Sequence, residues 1–548
     1  MNESSKINDI LKNSLFKGIG QFLFPTDFYS ITNNMTLKDV DYLLPYHSHI
    51  EVSTTIEVLE YLENVKTNNL IIDENGSITY QELLTFSKKI GSGLGKFVKN
   101  NDPVPIYMEK GIKALEVFMG ALYAGGFYSL LNVGLPKMRL EQIIGVLDVD
   151  YIITDNEYLE AAKEFFSDKK IILYEDLIKE KIDEELLSNI RRKKVDLDPV
   201  YANFTSGSTG VPKGVIVGNR SIIDFVDNFV DTFGIDSTDV IANQAPFDFD
   251  VSVKDIYPAL KTGATLVIVP KELFSNPAKL IDFLVENNIT TMTWAVSALC
   301  LITTFHGLDY KVPTTVKRIM FSGEVMPMKH LNSWMEHLPD AMFVNLYGPT
   351  EITCNCTYHI IDRNRKYEKI PIGIPFNNEA VFLLNDKNEL VNNELEKGEI
   401  CVRGTALALG YYKNKEQTEK AFVRNPLNDK YIEYIYRTGD LGYYQNNELY
   451  FGGRKDFQIK YMGHRIELEE IDKAIGSFEG VLRVCSIFRE EKSKLYAFYI
   501  GDMEPKELHE KLSKELPIFM IPSKFIKVEE MPLSKNGKID RKKLEELI

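Results

Sequence analysis

Residues 200–217 read VYANFTSGSTGVPKGVIV. A strand-like run enters a loop of glycines and hydroxyl residues, and a second extended run leaves it. Glycines allow backbone conformations in which successive N–H groups converge on an anion. Gly207 and Gly210 supply that freedom, Thr205, Ser206, Ser208 and Thr209 add hydroxyl donors, and Lys213 adds charge. The combination suits a polyphosphate. It is not the loop in which Gly-Lys-Ser/Thr opens a helix directly, because Pro212 precedes Lys213 and a strand follows. Composition alone leaves a solvated Ser/Gly turn as the other reading.

The surrounding pattern is that of a wound α/β sheet. ATLVIVP at 264–270 is strand-like and AKLIDFLVENN at 278–288 is helical, and such alternation continues along the chain. From Tyr80, Leu83, Ile90, Leu94 and Phe97 recur at helical spacing with lysines opposite. At 548 residues the chain exceeds one hydrophobic core. Beyond Gly453 the texture changes to a charged, glycine-punctuated stretch. A helix follows with Ile471, Ile475 and Phe478 on one face, then two strands, a charged helix and the strand PSKFIKVE. This predicts a large α/β domain over 55–455 and a small, mobile α+β lid over 456–548. Residues 1–54 are expected to be an N-terminal extension, helical by default.

The formal net charge of −15 argues against a nucleic-acid partner, which needs a basic face. No apolar run is long enough to span a membrane, and the first residues lack the apolar stretch of a secretion signal. Five scattered cysteines suit reduced thiols in a cytoplasmic enzyme better than disulfides or a zinc site.

TSGSTGVPKG resembles the phosphate-binding loop of the adenylate-forming superfamily, which comprises acyl-CoA synthetases, luciferases and nonribosomal peptide synthetase adenylation domains. Further motifs follow in order: SITYQEL at 77–83, MGALYAGGFYSLLNVGLPKMR at 119–139, NLYGPTE at 345–351, GEICVRG at 398–404, YRTGDLG at 436–442, GRKDFQIKYMGHRIELEEI at 453–471 and LSKNGKIDRKKL at 533–544. One departure is that the family commonly has a proline where Ser129 or Leu130 stands. The resemblance runs from about residue 55 to the end.

The resemblance implies ATP and Mg2+ as the activating pair. It assigns nucleotide binding to the loop 205–210 and to Asn345, Tyr347, Gly348, Thr350, Asp440 and Arg454, with Tyr347 against adenine and Asp440 on the ribose hydroxyls. Glu351 is the implied Mg2+ ligand, a hard oxygen donor. Lys538 is the implied catalytic lysine, an ammonium stabilising charge on the phosphoryl oxygens in transfer, with Lys213 beside the phosphates. Asp456 is the implied hinge, because two half-reactions need two geometries. Gly463 then lines the path of a thiol arm, and Lys460 is a candidate lysine for the second half-reaction or a surface lysine.

FDFDVSVKDIYPAL at 247–260 resembles the segment in which amino-acid-activating members place an aspartate for the substrate α-ammonium. Asp250 matches it, beside Phe249 as an aromatic gate, and a buried carboxylate needs such a cation. The implied pocket adds Val251, Lys254, Thr293, Met320, Ser322, Gly323, Leu346, Cys354 and Asn355. If Lys254 points inward it favours a side-chain carboxylate; if its stem turns away, a small or medium neutral side chain fits. The segment also resembles D-alanine–carrier protein ligases. No phosphopantetheine attachment motif follows the lysine motif, so the expected partner is a separate phosphopantetheinylated carrier protein. Alternatives are an acyl- or aryl-CoA ligase and, more remotely, an inactive nucleotide-binding protein.

Overall fold

The computed structural model describes residues 55–548 apart from 208–209, 490–491 and 534–538. The predicted N-terminal extension, Ser208, Thr209 and Lys538 therefore lie outside the described residues. Two large sheets dominate. In the nine-stranded sheet the strands Met342–Tyr347, Arg318–Ser322, Thr291–Ala295, Val240–Asn243, Thr265–Ile268 and Leu70–Asp73 lie side by side and parallel, with antiparallel edges. Val240–Asn243 has its chain successor on one side and Thr291–Ala295 on the other. That reversal of winding is where open α/β sheets bind ligands, at the carboxyl ends of the strands. In the seven-stranded sheet, Pro199–Thr205 runs parallel to Phe127–Leu131 and antiparallel to Lys213–Gly218, with Thr205 opposite Lys213. The glycine-rich loop is thus the tip of a hairpin at the carboxyl end of a parallel strand.

The strands read as continuous apolar runs because helices cover them. Trp294 and Trp334 are wholly enclosed. The helix Tyr80–Leu94 starts in a capping box between Thr79 and Glu82. Its apolar face is Leu83, Ile90 and Leu94, whereas Phe97 lies past its end and is exposed. A five-stranded antiparallel sheet carries Tyr434–Gln445 and Glu448–Arg454.

Beyond it, Gln458–Tyr461 and His464–Glu467 form a two-stranded hairpin. Its two-residue turn, Met462 (φ 52°) and Gly463 (φ 79°), has both residues left-handed, as the tightest hairpin turn requires. The helix Leu468–Gly476 then packs on a three-stranded sheet of Val481–Arg489, Lys494–Gly501 and Lys524–Lys527. This C-terminal segment has its own apolar core, including Ile471, Ile475, Leu495, Tyr499 and Leu508.

Candidate active site

One cavity opens where the carboxyl ends of both large sheets meet the C-terminal hairpin. Thr205 and Ser206 reach it from the glycine-rich loop. Phe249, Asp250 and Val251 come from the segment after Val240–Asn243. Ser322 and Gly323 end one strand, and Gly348, Thr350, Cys354 and Asn355 follow another. Asp440 and Arg454 enter from the antiparallel sheet, and Lys460, Gly463, His464 and Arg465 from the hairpin. Residues scattered over some 260 positions of sequence therefore face a common space.

The loop needs its glycines. A Cβ on Gly207 would sit 2.2 Å from the Val211 carbonyl oxygen, and Gly210 has φ +80°. The Thr205 hydroxyl is buried there without a hydrogen-bond partner among the described residues, a donor that fits a phosphate oxygen. Lys213 stands behind the loop with its ammonium 5.2 Å from the Tyr411 ring. Burial, more than any neighbour, lowers its pKa.

Asp440 is held from both sides: Tyr347 donates its hydroxyl to it at 2.6 Å and Arg454 forms an ion pair with it. Arg454 also grips Asp456 at 2.6 and 2.8 Å, so the predicted ribose carboxylate and the predicted hinge residue share one guanidinium. Lys460 sits over the Tyr347 ring at 5.6 Å; it faces the site rather than bulk solvent, and burial lowers its pKa despite Asp440.

Glu351 is fully enclosed and lies beneath the cavity. The Tyr411 hydroxyl donates to it at 2.6 Å, and Arg465 donates to both carboxylate oxygens at 2.9 and 2.8 Å. Burial alone would raise its pKa, but Arg465, Tyr411 and Lys213 together hold it down to about 2. Mg2+ does not fit at Glu351 in this arrangement, because Arg465 occupies both oxygens. Among the described residues no cluster of three or more His, Cys, Asp or Glu could hold a metal ion.

Arg465 was not legible as a site residue. The hairpin that carries it is latched to the large body at several points: Ser206 Oγ donates to the Arg465 carbonyl at 2.8 Å, and the Gly463 N–H to Glu324 at 2.7 Å. Glu470, just beyond, pairs with Arg139 at 2.5 Å and accepts from the Gly207 N–H at 3.3 Å. His464 is stacked on Phe519 and edge-on to Phe249, and burial lowers its pKa to about 4. The same cavity wall includes the apolar side chains Leu130, Leu135, Ile143 and Met520, none of them predicted.

Of the predicted pocket, Thr293, Met320 and Leu346 are interior strand residues, and Lys254 is buried at 1% exposure; none of these lines the cavity. Asn345 uses its amide to bind the Pro371 carbonyl at 2.8 Å. Gly348 is obligatory, since a Cβ would lie 2.5 Å from Asn355 Cα. Asp250 is recessed in the cavity wall, and burial raises its pKa, with Thr350 and Lys254 opposing. It has no salt-bridge partner within 4 Å among the described residues.

Residues 62–412 match the family model described as AMP-binding enzyme. The chain is 34% identical over 511 residues to zwittermicin A synthase ZmaJ of Bacillus cereus, covering 90% of this chain and 95% of that protein. It is 32% identical over 506 residues to D-alanine–D-alanyl carrier protein ligase of Bacillus licheniformis, covering 89% and 98%. Tyrocidine synthase 1 of Brevibacillus parabrevis is 30% identical over 513 residues, and there the chain spans only 46% of its relative's length. The solved Vibrio cholerae adenylation domain AlmE, in complex with glycyl-adenosine-5'-phosphate, superposes with a TM-score of 0.77 at 21% identity, covering 91% of this chain and 99% of that one. At that identity the likeness shows the fold: an α/β adenylation-domain architecture.

Proposed function

The chain belongs to the AMP-binding enzyme family, and from that premise we propose that it uses ATP to activate an amino acid as its aminoacyl-AMP and passes the acyl group to a carrier-protein thiol. In the first step a carboxylate oxygen attacks the α-phosphorus and the bond to pyrophosphate breaks, pyrophosphate leaving with its electron pair. In the second the thiol sulfur attacks the acyl carbonyl, the C–O bond to AMP breaks, and the thiol proton leaves to solvent.

The observation that carries the amino-acid reading is Asp250, a carboxylate recessed in the cavity wall, raised by burial and lacking an ion-pair partner among the described residues. An α-ammonium supplies the missing cation; fatty and aryl acids do not. Thr205, Ser206 and Lys213 are the proposed phosphate-binding residues, and Asp440 with Arg454 the proposed ribose-binding pair. Lys538, outside the described residues, is the proposed first-step lysine. Lys460 is the proposed lysine of the second step, since it lines the cavity with its ammonium over the Tyr347 ring.

The segment from Asp456 onward is the proposed lid, its hairpin held by the Arg465–Glu351 pair. Relatives named D-alanine–D-alanyl carrier protein ligase, matched over nearly their whole length, make D-alanine a leading substrate to test. The decisive experiment is exchange of labelled pyrophosphate into ATP with L- and D-amino acids against fatty and aryl acids. Exchange driven only by fatty or aryl acids would refute the reading.

A further inference from the structure

Behind the wall of the Asp250 pocket lies a buried polar network. Lys254, on the helix Val253–Thr262, is 1% exposed, and its ammonium donates to Ser322 Oγ at 3.0 Å and to Asn355 Oδ1 at 2.9 Å. Ser322 and Asn355 themselves line the cavity, whereas Lys254 does not. The ammonium also lies against the Cys354 thiol, whose pKa burial raises and Lys254 draws back. Ser322 and Asn355 take two of the three donors an ammonium has.

Asp255 is completely buried. Asn243 donates to one of its oxygens at 2.9 Å, and the other oxygen has no hydrogen-bond partner among the described residues. Burial raises Asp255 to about 7, with Asn243, Lys254 and Lys110 opposing. The Lys254 charge opposes the effect of burial on both Asp255 and Asp250. It is not a surplus cation waiting for a substrate carboxylate.

Backbone strain holds the wall in place. Thr353 and Cys354 have φ 52° and 81°, a region that non-glycine residues rarely occupy. The Thr353 hydroxyl anchors that turn on the Ala406 carbonyl at 2.6 Å. The turn delivers the Asn355 amide to Lys254.

We propose that Lys254 is a specificity-determining plug, which, on the amino-acid-activating reading above, limits this site to small neutral amino acids such as glycine, alanine or serine. A larger side chain directed away from Asp250 meets the Ser322–Lys254–Asn355 network and must break it. An acidic side chain meets Ser322 and Asn355, which line the cavity in front of the ammonium and hold it.

The test is pyrophosphate exchange by the full chain with glycine, both alanine enantiomers, serine, leucine, phenylalanine, aspartate and glutamate. The wild type is expected to use one of the first four with kcat/KM at least tenfold above leucine and glutamate. Lys254→Ala, which opens the plug, is expected to raise leucine relative to alanine by about tenfold. Lys254→Met, which keeps the stem and removes the charge, is expected to keep the small-substrate order. Wild-type preference for glutamate or aspartate, or for a large neutral side chain, overturns the plug while leaving amino-acid activation intact. Exchange with fatty or aryl acids alone overturns both. The wild-type panel decides even if the Lys254 variants fail to fold.

Discussion

Replacing Arg465 with alanine tests whether the hairpin over residues 458–467 is held down by charge. Glu351 is fully enclosed, and both its oxygens accept from the Arg465 guanidinium. Without that guanidinium the carboxylate keeps the Tyr411 hydroxyl at 2.6 Å and the field of Lys213. Removing one partner of a buried pair costs about 3–5 kcal/mol, because the other is left as an uncompensated charge. The sign with pH follows from the shifts. In the wild type Glu351 is held from its usual 4.5 down to about 2, so its contribution is complete above pH 4.5 and is lost as pH falls toward 2. In the variant burial dominates, and the carboxyl rises above its usual range. The docked hairpin is then penalised at neutral pH and relieved by acid, as Glu351 takes up a proton. At about 1.4 kcal/mol per tenfold change, 3 kcal/mol lowers the protection of the hairpin amides about 100-fold. Hydrogen exchange read by mass spectrometry on peptides over 456–467 measures this directly. The three-stranded sheet, whose core excludes Arg465, serves as the reference. At pH 7.5 the hairpin should lose about two orders of magnitude in protection, and at pH 5 the deficit should shrink below about tenfold. Unchanged hairpin protection, or a deficit independent of pH, refutes the charge latch.

Other expectations follow from single contacts. Asp250→Asn should raise the amino-acid KM in pyrophosphate exchange about 100-fold, and lessen discrimination against the same acid without its amino group. Gly348→Ala places a Cβ 2.5 Å from Asn355 Cα and should lower stability by about 3 kcal/mol or more, read as a fall in thermal midpoint. His464, held from the usual 6.5 to about 4 by burial, should stay neutral down to about pH 5 in an NMR titration; its stability contribution is full above pH 6.5 and falls away toward pH 4. Lys538→Ala should cut exchange at least about 100-fold while leaving nucleotide binding by calorimetry within a few-fold.

The parts of the site that sequence exposes are those where chemistry demands a residue type at a fixed spacing. The glycine-rich loop is one, because a Cβ at Gly207 collides with backbone. The wound sheet is another, because parallel strands buried on both faces must read as apolar runs. What stays hidden depends on pairing across long separations. Nothing local in GHRIELEE says that Arg465 reaches Glu351, 114 positions away. Nothing in the FDFD segment says which way Lys254 turns, since both directions satisfy a lysine on an amphipathic helix. The structure decides for the interior only because three separate elements converge there: a strand end brings Ser322, a strained turn brings Asn355, and the strand ending at Asn243 lets that residue's amide fix Asp255. A buried lysine persists only where acceptors and a counter-charge are already built around it. The same three elements that make Lys254 tolerable therefore also remove it from the reach of a substrate, which is why a charged position in the sequence of this pocket argues for a short neutral ligand.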